Sequence, residues 1–159
     1  IPKSDKLEMI IQKAVELGVS EIIPVKTKRV VVKIEEKKLS AKLNRWNAIA
    51  ESAAKQSKRS IIPKILEPQS IDNALEIVKD FDVKLIPYEN ADSIDKTRRI
   101  LDNMDKTGNI SVFMGPEGGF EEKAIDLGFE VITLGKRILR TETAGLALLS
   151  NIMIRLEEE

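Results

Sequence analysis

The chain contains no cysteine and no histidine. The first absence removes disulfides, thiolate zinc sites and cysteine nucleophiles. The second removes every histidine-based triad. A protein-held metal would have to rest on carboxylates, and no clustered set stands out, so no metal is expected. No apolar run reaches the length that spans a bilayer, and no signal-peptide pattern is present. A cytoplasmic location with no membrane partner is the expectation. If the protein is an enzyme, its chemistry needs neither an imidazole nor a thiol. Group transfer from an already activated cofactor meets that restriction.

What the chain does have is charge, unevenly placed. Formal net charge is zero over 159 residues. The stretch Lys26 to Lys64 nevertheless carries 12 Lys or Arg against three acids, a net +9, which leaves −9 for the remainder. Such asymmetry points to a polyanion partner more strongly than the overall isoelectric point does. The length suits one domain with a substantial core. The chain begins at Ile1 with no initiator Met, from which a preceding domain is expected to be missing.

The periodicity predicts alternating helices and strands. Ser4 or Asp5 would cap a helix to about Leu17, with Gly18 just past its end. Glu21 to Val25 reads as a strand and Arg29 to Ile34 as a second extended piece. A long helix follows, about Leu39 to Lys58, with Leu43, Trp46, Ala50 and Ala53 or Ala54 inward. Ile61 to Leu66 is short and extended. Ser70 would cap a helix through Val78. Val83 to Ile86, Ile110 to Met114 and Val131 to Leu134 read as strands. Ser93 to Leu101, Glu121 to Leu127 and Thr143 to about Leu156 read as helices. This order predicts an α/β fold: a mostly parallel sheet with helices on both faces, in a single domain over residues 1–159 with no linker. The last helix is apolar on most sides, so its second face belongs either to the core or to a subunit interface.

Two glycine turns stand at successive strand ends: Gly115-Pro116-Glu117-Gly118-Gly119 and Leu134-Gly135. Strand, glycine turn and helix, used twice, build a ligand crevice at the carboxyl ends of parallel strands. Neither turn is a phosphate-binding loop with Gly-Lys-Ser/Thr, and neither has the dinucleotide spacing Gly-x-Gly-x-x-Gly. Nucleoside triphosphates and NAD are poor ligands for this pattern.

Four segments together are more specific than any one of them. Lys3-Ser4-Asp5-Lys6-Leu7-Glu8 with Gln12 to Gly18, then Glu51 to Arg59, then Gly115 to Gly119, then Leu134 to Ala144, resemble in order the motifs of a known family. These are the RsmE-like uridine-N3 methyltransferases of small-subunit ribosomal RNA, in the SPOUT superfamily. The likeness covers essentially the whole chain. It implies S-adenosylmethionine as cofactor, a C-terminal trefoil knot through which the last helix is threaded, a homodimer, and ribosomal RNA or the small ribosomal subunit as partner. Family members usually carry an N-terminal PUA-like RNA-binding domain, and the resemblance leads to the expectation that it is missing here.

The resemblance and the loop chemistry together assign the cofactor to three loops. They are Ile86-Pro87-Tyr88; Gly115, Pro116, Glu117, Gly118 and Gly119; and Leu134, Gly135, Ile138, Leu139 and Arg140. Leu134, Ile138 and Leu139 would flank a purine. Thr143 and Ala144, at a helix start, would offer free N–H groups. Arg140 is the candidate cation for the oxygens of a uridine anion. Glu142 or Glu117 would accept its proton. Lys28, Arg29, Lys55, Gln56 and Arg59 are the candidate RNA contacts, Lys55 and Arg59 sharing a helix face. Trp46 reads as core. Two alternatives stay open: another SPOUT enzyme acting on tRNA or a ribose hydroxyl, and a non-catalytic RNA-binding module.

Overall fold

The structure is a computed structural model that describes residues 4–26, 36–88, 93–115 and 121–157. These fall into two compact units, Ile1–Ala74 and Leu75–Glu159.

In the first unit, α1 spans Ser4–Glu16 and α2 spans Glu36–Gln56. The apolar positions of α1 recur at helical spacing, and Leu7, Ile11, Ala14 and Val15 are all buried. Trp46, Ala50, Ala53 and Ala54 of α2 join Leu7, Ile11, Val15 and Ile65 in one core. Trp46 is 2% exposed, as its apolar helical neighbours predict. Helix α1 ends on two bonds that a left-handed residue makes possible. Gly18 N–H donates to the Val15 carbonyl at 3.1 Å and Val19 N–H to the Ala14 carbonyl at 3.0 Å. Gly18 sits at φ +98°, where it has no Cβ to collide. Helix α2 closes with the same pair of bonds, Lys58 to Lys55 and Arg59 to Ala54. Here the left-handed position carries Lys58, at φ 58°.

The strands of this unit are short. β1, Glu21–Ile22, pairs in parallel with β3, Lys64–Ile65; β2, Val25–Lys26, pairs in parallel with β4, Gln69–Ser70. The single strand expected over Glu21 to Val25 is thus two, with different partners. Pro24 stands between them and has no N–H to continue a ladder. Its carbonyl still accepts from Gln69 N–H at 2.9 Å. The extended piece expected at Arg29 to Ile34 lies outside the described residues. α3, Ile71–Ile77, starts where expected, with Ser70 Oγ accepting from Asn73 N–H at 3.1 Å. The boundary between the two units falls inside this helix.

The second unit alternates as the sequence predicts: β5 (Val83–Pro87), α4 (Ile94–Asn103), β6 (Ile110–Val112), α5 (Glu121–Asp126), β7 (Glu130–Ile132) and α6 (Thr141–Leu156). Its sheet has the order β6-β5-β7 with every pairing parallel. Leu85, Leu101, Ile132, Leu148 and Ile152 form its core. Full burial of a side chain such as Leu148 stabilises by roughly 1.5–3 kcal/mol. Only one face of α6 is deeply buried, at Ala144, Leu148 and Ile152, while Ile154 is 74% exposed. The core is therefore not the home of Ile154. The fold is mixed α/β with parallel sheets. Among the described residues, no helix is long and apolar enough to cross a membrane.

Candidate functional site

Strand direction decides where a ligand can sit. All three strands of the second unit run parallel, so their carboxyl ends share one edge of the sheet. The chain lays β6 on one side of β5 and then crosses to lay β7 on the other. That reversal parts the loops at the carboxyl edge and leaves a crevice. Phe113 N–H donates to the Leu85 carbonyl and Tyr88 N–H to the Ile132 carbonyl, each at 2.9 Å. These bonds fix the last residues of the strands, and the loops depart from there.

The loops enclose a cleft of about 120 Å³. From the ends of β5 and β6 come Pro87, Tyr88, Met114 and Gly115; the segment after β7 supplies Thr133, Leu134, Gly135, Arg137, Ile138 and Leu139. Thr141 and Ala144, in the first turn of α6, close the wall. Gly135 sits at φ +112°, and a Cβ built there meets nothing within 4 Å. The backbone conformation excludes L side chains, and the space beside it stays open. Ile138 is 80% exposed, a large apolar side chain presented at the cleft.

Of the residues expected to hold a cofactor, Pro87, Tyr88, Gly115, Leu134, Gly135, Ile138, Leu139 and Ala144 line this cleft together. Ile86 does not. It is 1% exposed, packed within the central strand. Pro116, Glu117, Gly118 and Gly119 lie outside the described residues. Arg140 is exposed between two lining residues and occupies the N-cap position of α6, with no capping bond from its side chain. Glu142 is half-buried in the first turn, where the helix dipole favours a carboxylate. Helix α6 begins two residues earlier than expected, at Thr141. Ala144 N–H consequently donates to the Arg140 carbonyl at 2.9 Å and is not a free donor. Of the two expected donors, only Thr143 precedes this bond of the helical ladder. Thr143 is exposed and does not line the cleft. Sequence reasoning missed Met114, Thr133, Arg137 and Thr141 as lining residues. Each adjoins a residue that was assigned, and widening the loops by one position would have found them.

The basic segment resolves differently. Lys28 and Arg29 lie outside the described residues. Lys55 is exposed and ion-paired with Glu51 at 2.6 Å. That ammonium, bonded to the Glu51 carboxylate, holds its pKa below the usual value. Gln56 is exposed at the end of α2. Arg59 turns inward: its guanidinium donates to the carbonyls of Val15 at 3.0 Å, Val19 at 2.6 Å and Gly18 at 3.1 Å. It caps the carboxyl end of α1, where a cation is favoured. Three of its five donors are committed within the unit, so its role there is structural. Arg45 is likewise engaged, in a two-pronged pair with Glu8 at 2.6 and 2.7 Å. Among the described residues, no group of three or more acidic side chains is placed to hold a metal ion.

Comparison with known proteins gives this geometry a context. A family model described as RNA methyltransferase domain matches residues 1–153. The chain is 39% identical over 164 aligned residues to the ribosomal RNA small subunit methyltransferase E of Bacillus subtilis, covering 99% of this chain and 64% of that protein. It is 44% identical to the protein of the same name from Mesomycoplasma hyopneumoniae, covering 94% of this chain and 65% of that one. A crystal structure of ribosomal RNA small subunit methyltransferase E from Neisseria gonorrhoeae, bound to S-adenosyl methionine, superposes with a TM-score of 0.78 at 36% identity. That match covers 94% of this chain and 61% of the other. The chain thus spans a little under two thirds of the length of the relatives it matches.

Proposed function

Because this chain belongs to the RNA methyltransferase domain family, we propose that it is the catalytic part of an S-adenosylmethionine-dependent enzyme. The substrate is N3 of a uridine in small-subunit ribosomal RNA. The observation that carries this reading is the cleft at the carboxyl ends of three parallel strands, with open space beside Gly135. The relatives' names support small-subunit ribosomal RNA as the substrate, and the bound ligand of the Neisseria gonorrhoeae structure supports the cofactor. The family match runs through both compact units, which supports reading them as one methyltransferase domain. The trefoil knot, the homodimer and the cytoplasmic setting belong to the same proposal. The exposed Ile154 of α6 is available to a second subunit.

The lining residues fit this cofactor. Leu134, Ile138 and Leu139 offer apolar faces for a flat purine, and Gly135 lets backbone approach it without a Cβ between. When bound, S-adenosylmethionine supplies an activated methyl carbon on a sulfonium. The protein's part is to bind, orient and exclude water, and holding two reactants in line can supply roughly 7–11 kcal/mol of a barrier. No imidazole or thiol is required, which agrees with a chain that has no His and no Cys. Uridine N3 carries a proton that must leave, and the resulting anion spreads onto O2 and O4. Arg140, exposed between lining residues Leu139 and Thr141, is the cation that would hold one of those oxygens. Glu142, or Glu117 outside the described residues, accepts the proton.

The test is methyl transfer to small ribosomal subunits that lack the modification, with the nucleosides identified by mass spectrometry. The expected product is 3-methyluridine. Methyl appearing on tRNA or on a ribose hydroxyl would assign the chain to another branch. Cofactor binding without transfer to any RNA would leave a binding module. Arg140→Ala is expected to lose turnover while keeping cofactor affinity.

A further inference from the structure

One buried hydroxyl stands behind the cleft without entering it. Thr97 lies on α4, 3% exposed, on the same helix face as buried Leu101. Its Oγ1 donates to the Thr133 carbonyl at 2.9 Å and accepts from Thr133 N–H at 3.0 Å. Both backbone groups of one residue are therefore satisfied by a single side-chain oxygen.

The sheet explains why they need it. Among the described residues β7 stands at the edge of its sheet, with β5 as its one neighbour. The Ile132 carbonyl points to the β5 side and accepts from Tyr88 N–H. In a strand the next residue's N–H and C=O point the opposite way. For Thr133 that direction is the open edge, and Thr133 is itself only 8% exposed. Unpaired, both groups would be buried without a partner. Thr97 stands in for one residue of a missing neighbouring strand. The arrangement continues into the loop: Gly135 N–H donates to Thr133 Oγ1 at 3.2 Å, and Thr133 Oγ1 lies 3.3 Å from the Gly135 carbonyl. Two threonines in series thus fix the segment that carries Gly135 at φ +112°.

Resting on the reading of the cleft as a cofactor site, we propose that Thr97 is a positioning residue for that loop. It holds Thr133, and through it Gly135, in the shape that receives the ligand, and it does so without lining the cleft. α4 is anchored for this purpose. Ser93 Oγ caps its first turn by accepting from Lys96 N–H at 3.2 Å, and Asp102 near its end accepts from Arg155 of α6 at 2.8 Å.

The test compares Thr97→Val, which keeps shape and loses the hydroxyl, with Thr97→Ser, which keeps the hydroxyl. S-adenosylmethionine affinity is measured by calorimetry, and amide hydrogen exchange is followed at Thr133, Gly135 and Phe113. Thr97→Val is expected to weaken binding by about tenfold or more and to speed exchange at Thr133 and Gly135. Phe113, held by the Leu85 carbonyl in the sheet, is expected to stay protected. Thr97→Ser is expected to bind within about threefold of the parent. A Thr97→Val protein with Phe113 protected and full affinity would overturn the proposal, as would a serine variant as weak as the valine one. Should Thr97→Val fail to fold, Thr133→Val removes only the hydroxyl contacts to Gly135. It must then lose affinity in the same way, and full affinity there would overturn the proposal. If the parent binds no S-adenosylmethionine, the cofactor reading falls. The exchange pattern at Thr133 and Gly135 then still decides whether Thr97 holds the loop.

Discussion

Arg59 offers a direct test of whether the basic segment is all nucleic-acid footprint. Its guanidinium supplies bonds to the Val15, Gly18 and Val19 carbonyls at the end of α1. Val15 also accepts from Gly18 N–H, so it keeps a partner if Arg59 is lost. For the Gly18 and Val19 carbonyls no other backbone donor stands among the described residues, so water is the replacement. A hydrogen bond from a charged donor is worth about 1.5–3 kcal/mol. Arg59, Gly18 and Val19 are all half-buried, so water recovers part of that for each. Arg59→Met keeps the aliphatic stem and removes the donors. The expected loss is about 2–3 kcal/mol, or about 5–10 °C in melting temperature for a chain of this size. Arg59→Lys, with one nitrogen, is expected to recover about half. The assay is urea unfolding followed by fluorescence of Trp46, the single tryptophan, which sits in the same core. Lys55→Met, which removes an exposed ion pair, is expected to leave the midpoint unchanged. An Arg59→Met midpoint equal to the parent's would refute the capping role and return Arg59 to the RNA-contact set.

Lys58→Gly is expected to stabilise the protein by about 0.5–1 kcal/mol, because Lys58 occupies a left-handed position that glycine adopts without steric cost; the same urea titration reads it. Asp105 accepts from the Thr107 backbone N–H and hydroxyl, each at 2.8 Å, and the backbone bond is the main reason its pKa lies below the usual aspartate value. Its contribution to stability is present above the unfolded aspartate pKa and is lost as pH falls through the lower folded value; the Asp105 carboxyl carbon shift followed by NMR against pH is expected to titrate below that of an unfolded peptide. Gly135→Val, at φ +112°, is expected to abolish cofactor binding by calorimetry while sheet amides such as Phe113 stay protected.

The sequence carried the order of elements because the apolar spacing is strong and the turn residues are clear. Gly18 marked the end of α1 and Ser70 the cap of α3, where a short side-chain oxygen meets a free N–H; Ser93, read as the first residue of α4, is instead its cap. The end of α2 was harder to place because a lysine, not a glycine, occupies its left-handed position. The split at Pro24 was legible in principle, since proline cannot donate to a ladder, but its partners are some forty residues away. The inward bonds of Arg59 were not legible for the same reason: the three carbonyls it caps belong to α1 and the turn after it, and side-chain charge alone does not reveal its acceptors. At the cleft, two glycine turns on successive strands gave the location. The N-cap of α6 was not legible because Arg140 has no oxygen with which to signal it, and this moved the free N–H groups away from Ala144.

The central claim is that one cleft, built by the loops after β5, β6 and β7, receives the sulfonium cofactor. A crystal of this chain grown with S-adenosylmethionine tests it. Density for the purine against Leu134, Ile138 and Leu139 beside Gly135 is the predicted result. Density at any other place on the chain, with this cleft filled by water alone, would contradict it.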